Sequence, residues 1–193
     1  MLLYLSVLFW IIIDPIGNVA PFVGCIGNLS PKRQSYIIAR EMLIALAVMI
    51  LALFFGQEFF ALLQVDSSAL AITGGIILFL VAVGMIFSEP QSEQKLKKQQ
   101  EPLIVPLAVP FVAGPGILAT IIFYAGSNTS TWVILGAIFL SWLFSLPILL
   151  FAPWIKYILG TNGATAVERI FGYLVVILAI QMISKGLIDS FSF

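Results

Sequence analysis

The sequence predicts an all-α integral membrane protein with six transmembrane helices, arranged as two inverted three-helix repeats in which helices 1 and 4 are interrupted. Three observations predict this fold: the composition, the number of apolar segments and an internal similarity between the two halves. The 193 residues are 61% hydrophobic and only 9% charged, with a mean hydropathy of +1.13. A soluble domain must present a polar exterior to water, so this composition favours a membrane protein.

The charged and reactive residues exclude several classes of function. Nine basic and nine acidic residues give a formal net charge of zero, which provides no footprint for a nucleic-acid partner. The absence of histidine removes the commonest general base and metal ligand, which speaks against an enzyme and against a metal site. The single Cys25 excludes an internal disulfide and is typical of a small apolar side chain within a helix.

Six apolar segments are long enough to cross a bilayer, which takes about 20 residues. The N-terminal one lacks a basic region and a cleavage pattern, so we interpret it as a membrane span rather than a signal peptide. Ser30 and Pro31 supply an N-cap and a first-turn proline for the second span. The six spans are predicted at residues 1–27, 31–63, 67–88, 102–126, 131–152 and 164–188.

The connections divide the chain into two repeats. The longest polar connection predicts a cytoplasmic linker at residues 91–101, between a first repeat at 1–90 and a second at 102–193. Residues 152–165 are predicted to connect the last two spans at a membrane interface, which suits Trp154 and Tyr157.

The basic residues predict the orientation of the spans. Eight of the nine lie at connections that would face one side of the membrane, and only Lys185 lies near the other. By the positive-inside rule the first side is cytoplasmic, so both termini are predicted to be periplasmic. The eight residues are Lys32, Arg33, Arg40, Lys95, Lys97, Lys98, Lys156 and Arg169.

The two halves align without gaps at an offset of 97 residues. Because each half has three spans, an odd number, the second half must be inverted relative to the first. Inverted repeats with interrupted helices are a recurring plan of secondary transporters. The identities between the third and sixth spans are Gly75/Gly172, Ala82/Ala179, Met85/Met182 and Ile86/Ile183.

Helix-breaking residues interrupt the first and fourth spans at equivalent positions. The stretches are "IIIDPIGNVAP" (11–21) and "VPFVAGPG" (109–116), in which Gly17 aligns with Gly114. Proline removes an amide donor and glycine permits unusual backbone angles, so both helices should break, at one shared cavity. The candidate substrate- or ion-binding residues are Asp14, Pro15, Gly17, Asn18, Gly114, Pro115 and Gly116.

Asp14 is the only charged residue of this candidate site. A carboxylate at the centre of a membrane helix costs about 2.5–3.5 kcal/mol to insert, which favours a function for it. With the N–H groups at the half-helix ends it could bind a zwitterion, or it could bind a coupling proton or sodium ion. The alternative is structural: the prolines kink the two helices for packing, and Asp14 caps the second half-helix.

Other polar residues carry weaker predictions. Arg40, Glu41, Glu168 and Arg169 lie toward the cytoplasmic ends of their helices and are candidates for a gate, or alternatively for structural ion pairs. Interhelical hydrogen bonds are expected from hydroxyl and amide side chains within the spans, namely Thr73, Thr120, Ser141, Ser145 and Gln181.

Four stretches together resemble the MarC family of bacterial inner-membrane proteins: "DPIGNVAPF" (14–22), "ITGGIILFLVAVGMI" (72–86), "VPLAVPFVAGPG" (105–116) and "ERIFGYLVVILAIQMI" (168–183). The family is similar to the wider superfamily of lysine-exporter-like transporters, and some members are described as small neutral amino-acid transporters. The resemblance implies a multi-pass protein of the bacterial inner membrane with no enzyme activity and no cofactor. It places functional weight on the seven candidate residues of the two breaks.

The leading hypothesis is a secondary transporter of a small polar or zwitterionic solute such as glycine, alanine or serine, coupled to H⁺ or Na⁺. Its partners would be the lipid bilayer, the small-molecule substrate and, as an open possibility, further copies of the chain. The alternatives are an exporter of a metabolite or drug, and a structural or regulatory membrane protein with no transport cycle.

Overall fold

The computed structural model describes residues 1–27, 29–87 and 112–191, which are helical and contain no strand. The predicted linker at 91–101 and the first part of the fourth span, 102–111, lie outside the described residues. The helices are α1 (Leu2–Ile13), α2 (Val19–Ile26), α3 (Pro31–Leu62), α4 (Ser67–Phe87), α5 (Pro115–Ala125), α6 (Thr131–Leu150) and α7 (Ala152–Phe191).

Within the described residues, four helices are long and apolar enough to cross a membrane, and the predicted all-helical membrane class is confirmed. They cover Pro31–Leu62, Ser68–Phe87, Thr131–Leu150 and Thr165–Phe191. By contrast α1 and α5 have 12 and 11 residues. At 1.5 Å per residue each extends less than about 20 Å, short of a hydrocarbon core about 30 Å thick. Helix α1 is short because it ends at the first predicted break.

The predicted connection at 152–165 is helical in the structure, with a kink between the two spans that it joins. Helix α7 begins at Ala152 and runs through this stretch, with a single non-helical residue, Gly160, at φ 63° and ψ −179°. Glycine tolerates this conformation because it has no Cβ, so the helix bends sharply there instead of giving way to a loop. Trp154 and Tyr157 are exposed, as expected for side chains at a membrane interface.

Helix α3 is joined to its neighbours α5 and α6 by two hydrogen bonds that cross between helices. Trp142 Nε1 of α6 donates to the Met42 carbonyl of α3 at 2.7 Å, and Gln57 Nε2 of α3 donates to the Ile122 carbonyl of α5. The prediction was wrong for Ser141 and Ser145, whose hydroxyls donate to carbonyls of their own helix α6. A serine hydroxyl reaches a carbonyl one turn earlier more easily than it reaches another helix.

Helices α4 and α7 pack in antiparallel directions, with glycines at the closest contacts. A Cβ at Gly75 would lie 2.9 Å from the Ala179 carbonyl oxygen and 2.6 Å from Ile183 Cγ1. A Cβ at Gly172 would lie 3.2 Å from the Ala82 carbonyl oxygen and 2.9 Å from Ile86 Cγ1. Earlier residues of α4 thus meet later residues of α7, and the absence of side chains lets the two backbones approach closely.

Candidate functional site

The first break separates α1 from α2 at Asp14. This residue ends α1 with φ 45° and ψ 63°, in the left-handed region, and α2 begins only at Val19. The expectation that Gly17 supplies the unusual backbone angles is wrong, because the left-handed residue is Asp14. Aspartate enters this region more readily than most residues, since its short side chain can bond to nearby backbone groups.

Side chains at the break satisfy the backbone groups that the interrupted helix releases. The Gly17 N–H donates to Asp14 Oδ1 at 3.0 Å, and Asn18 Nδ2 donates to the Ile13 carbonyl at 2.7 Å. A Cβ at Gly17 would overlap the Asp14 carboxylate, so glycine is required there for space rather than for its backbone angles. The Asp14 carboxylate therefore caps the turn between the two helices, whereas the N-cap position of α2, which the structural alternative assigned to Asp14, is occupied by Asn18.

Capping does not account for the burial of this charge. Asp14 is 7% exposed, Pro15 and Gly17 are buried, and Asn18 is half-buried. A cap at a helix end is worth about 1 kcal/mol, less than the cost of placing a carboxylate at membrane depth. The cap alone therefore does not offset the cost of burying Asp14.

The second break begins α5 with the residues that the sequence predicts. Gly114 is the N-cap, with extended backbone angles of φ −71° and ψ 166°, and Pro115 occupies the first helical turn. Gly116 is buried against the preceding elements: a Cβ there would lie 2.6 Å from Leu78 Cδ2 and 3.9 Å from Ile12 Cγ2. Ile12 lies two residues before Asp14, so the structure brings the beginning of α5 beside the end of α1.

Helix α7 supplies neighbours of Asp14 that the sequence did not single out together. Trp10 packs edge-on against Phe171 with ring centroids 5.8 Å apart. One turn further along α1, Asp14 is close enough to Glu168 for their charges to interact. Within the described residues, the indole nitrogen of Trp10 is buried without a hydrogen-bond partner. The sequence feature that could have indicated this grouping is the four-residue spacing of Trp10 and Asp14, which places both on one helix face.

Two of the candidate gate residues form a tight ion pair on α3, and the other two lie on α7. Arg40 donates from Nη2 and Nε to Glu41 Oε1 at 2.7 and 3.0 Å, and Glu41 is 1% exposed. This is the ion pair that the structural alternative predicts. On α7, Glu168 is half-buried and Arg169 is exposed.

Arg40→Gln is expected to lower the free energy of unfolding by about 1–3 kcal/mol, because it leaves the buried Glu41 carboxylate without its charged partner. The double variant Arg40→Gln/Glu41→Gln is expected to recover most of this loss, since no buried charge remains. Thermal unfolding of the two proteins in the same detergent measures the difference. Equal stability of the double variant and the single Arg40 variant would contradict this account.

Two cavities formed by described residues are lined by none of the seven candidate residues of the breaks. One, of about 360 Å³, lies on an apolar surface formed by α1 and Leu178 of α7. The other, of about 450 Å³, lies against the beginning of α3. The end of α1 and the beginning of α5 pack against each other at Ile12 and Gly116.

Comparison with known proteins identifies relatives over almost the whole chain. A sequence model described as "MarC family integral membrane protein" matches residues 1–191. UPF0056 inner membrane protein YhgN of Escherichia coli (strain K12) is 40% identical over 185 residues, covering 94% of this chain and 93% of that protein. UPF0056 membrane proteins of Buchnera aphidicola subsp. Acyrthosiphon pisum and Chlamydia pneumoniae are 36% and 33% identical over 183 and 193 residues. These alignments cover 94% and 99% of this chain and 93% and 96% of the relatives. No solved structure matches the chain.

Proposed function

The chain belongs to the MarC family of integral membrane proteins, and from this premise we propose that it is a secondary transporter of a small zwitterionic solute such as glycine, alanine or serine, coupled to H⁺ or Na⁺. The observation that carries the proposal is the buried Asp14 carboxylate at the break between α1 and α2, beside the beginning of α5. Intramembrane carboxylates are rare and mark ion and substrate pathways.

The groups around Asp14 match the two charged ends of an amino acid. The carboxylate would bind the ammonium group or the coupling cation. Trp10 contributes a buried indole N–H donor one turn away, and the first turn of α5 contributes backbone N–H groups and the positive end of a helix dipole.

We also propose that the two halves form an inverted repeat related by an axis between α4 and α7. On one side of the interface Gly75 faces Ala179 and Ile183, and on the other Gly172 faces Ala82 and Ile86. The second set of residues is the first set with every residue replaced by its counterpart 97 positions away in the alignment of the two halves. The packing of α2 on α7 likewise exchanges with that of α5 on α4. Reciprocal contacts of this kind are what a pseudo-twofold axis in the membrane plane produces.

The proposed setting is the bacterial inner membrane, with both termini in the periplasm. The Escherichia coli relative is named an inner membrane protein, and the basic residues favour this orientation. In this orientation Arg40, Glu41, Glu168 and Arg169 lie toward the cytoplasmic end, where they would form a gate below Asp14.

Uptake by proteoliposomes tests the proposal. Labelled glycine, alanine and serine are added outside vesicles that carry an inward H⁺ gradient, an inward Na⁺ gradient or no gradient. We expect uptake of at least one solute above protein-free vesicles, increased by one of the two gradients. Efflux from preloaded vesicles without uptake would assign the exporter alternative, whereas no flux in either direction would overturn the proposal in favour of a non-transporting membrane protein.

A further inference from the structure

The cavity at the beginning of α3 is lined by none of the residues at the two breaks, and it shares only Arg40 with the candidate gate. Its volume is about 450 Å³, within the range of small-molecule pockets. Three cationic side chains line it together with one aromatic, one hydroxyl and two apolar side chains. The lining residues are Leu29, Ser30, Lys32, Arg33, Tyr36, Ile37 and Arg40.

The basic side chains of the lining are distributed along one face of α3. Arg33 and Arg40 are seven residues apart, two turns of one helix face, so they are separated by about 10 Å along the axis of α3. Arg40 is fixed by Glu41, which occupies two of the five N–H donors of its guanidinium group. The cavity therefore combines a preformed guanidinium at one end with Lys32 and Arg33 at the other.

We propose that this cavity binds a phosphate group of an anionic ligand, and that a phospholipid headgroup is its source. Arginine and lysine side chains are the usual phosphate ligands, and basic pockets at the cytoplasmic ends of membrane helices bind anionic headgroups. The apolar side of the lining suits the glycerol and first acyl carbons of a lipid: Ile37 is buried, while Tyr36 is 68% exposed in the position of an interfacial aromatic residue.

This inference is independent of the proposed transport function. The cavity is lined by none of the residues at the two breaks, and binding at it can be measured without a transported solute. It also goes beyond the orienting role of basic residues, because orientation requires only charge on one side of the membrane. A binding site requires that particular side chains, at particular positions, determine the affinity.

Native mass spectrometry of the full chain in detergent tests the site with two lipid probes. Phosphatidylglycerol carries a net negative charge and phosphatidylcholine does not, although both contain phosphate. We expect the first to bind more tightly, and Lys32→Gln/Arg33→Gln to weaken that binding about 25-fold, since each basic residue contributes about fivefold. Arg169→Gln is the matched control, because it removes an exposed cation from the same predicted side outside the cavity and should change binding less than twofold.

A soluble probe distinguishes the two sources of phosphate. Isothermal titration with glycerol 3-phosphate, on the wild type and the double variant, measures binding of the headgroup chemistry without a bilayer-forming lipid. If the wild type binds glycerol 3-phosphate and the double variant does not, the result would support the phosphate site and assign it a soluble ligand. Lys32→Arg/Arg33→Lys should bind as the wild type does, which separates charge from misfolding.

Two results would overturn the inference. In the first, the folded Lys32→Gln/Arg33→Gln variant binds phosphatidylglycerol with an affinity within twofold of that of the wild type, and neither protein binds glycerol 3-phosphate. The other is an equal loss of phosphatidylglycerol binding in the Arg169 control, which would reduce the effect to general surface charge.

Discussion

Asp14→Asn is expected to reduce gradient-driven uptake to the level of protein-free vesicles while leaving the protein folded. Asparagine keeps the shape of the side chain and an oxygen that can accept the Gly17 N–H, so the turn after α1 keeps its cap. It also tolerates the left-handed backbone conformation at this position. Only the negative charge is lost, and with it the group proposed to bind the ammonium end of the solute or the coupling cation.

Asp14→Ala is the companion variant, because it removes both the charge and the cap. Alanine loses the acceptor for Gly17 and is strained at φ 45°, and each effect costs about 1 kcal/mol. We therefore expect thermal unfolding to show a loss of about 2 kcal/mol for the alanine variant and less than 0.5 kcal/mol for Asp14→Asn. Wild-type uptake by Asp14→Asn would contradict a role for the charge and leave Asp14 as a structural cap.

The location of the first break could be predicted from the sequence, but its mechanism could not. Pro15 and Gly17 within an apolar segment are enough to expect that the helix stops. Which residue takes the left-handed conformation depends on how the released backbone groups are satisfied. That in turn depends on the Asp14 oxygen and the Asn18 amide, which bond to Gly17 and Ile13 only once the turn has formed.

Contacts between helices could not be predicted from the sequence, for a different reason. The helix starts at Pro31, Ser67 and Thr131 could be predicted from proline and cap-forming residue types next to them in the sequence, although Ser30 and Ser130 make no side-chain capping bond. The hydrogen bond from Trp142 to Met42 joins residues 100 positions apart, and it requires α3 and α6 to be adjacent in a particular rotation. Apolar helices in lipid carry no polar face to indicate that rotation, so it must come from the structure.

The alignment of the two halves could be predicted only in part from the sequence. It paired Gly75 with Gly172 in the sequence, but two aligned glycines can lie on unrelated surfaces. The structure places both at the interface between α4 and α7, where each faces a carbonyl oxygen of the opposite helix. Small residues at such positions are the means by which membrane helices approach closely, so the glycines have a packing role whatever solute the protein carries.

Gly75→Ala is therefore expected to lower the free energy of unfolding by about 1–3 kcal/mol, the usual cost of overpacking. The added methyl group would lie 2.9 Å from the Ala179 oxygen and 3.0 Å from the Ile183 nitrogen, and backbone atoms cannot rotate away as a side chain can. Gly84→Ala in the same helix is the matched control, since its Cβ would meet nothing within 4 Å. It should be neutral or stabilising by up to about 1 kcal/mol through helix propensity.

Gly172→Ala completes the series and tests the reciprocal character of the interface. Its nearest neighbour is a movable side-chain atom, Ile86 Cγ1 at 2.9 Å, and the Ala82 oxygen is farther away at 3.2 Å, so its cost should lie between those of the other two variants. Thermal unfolding in one detergent measures all three. If Gly75→Ala and Gly84→Ala were equally stable, the close approach of α4 and α7 would be absent in the folded protein. The contact that supports an inverted repeat would then be lost. The proposed role of Asp14 would be unaffected, because uptake by the Asp14→Asn variant tests it separately.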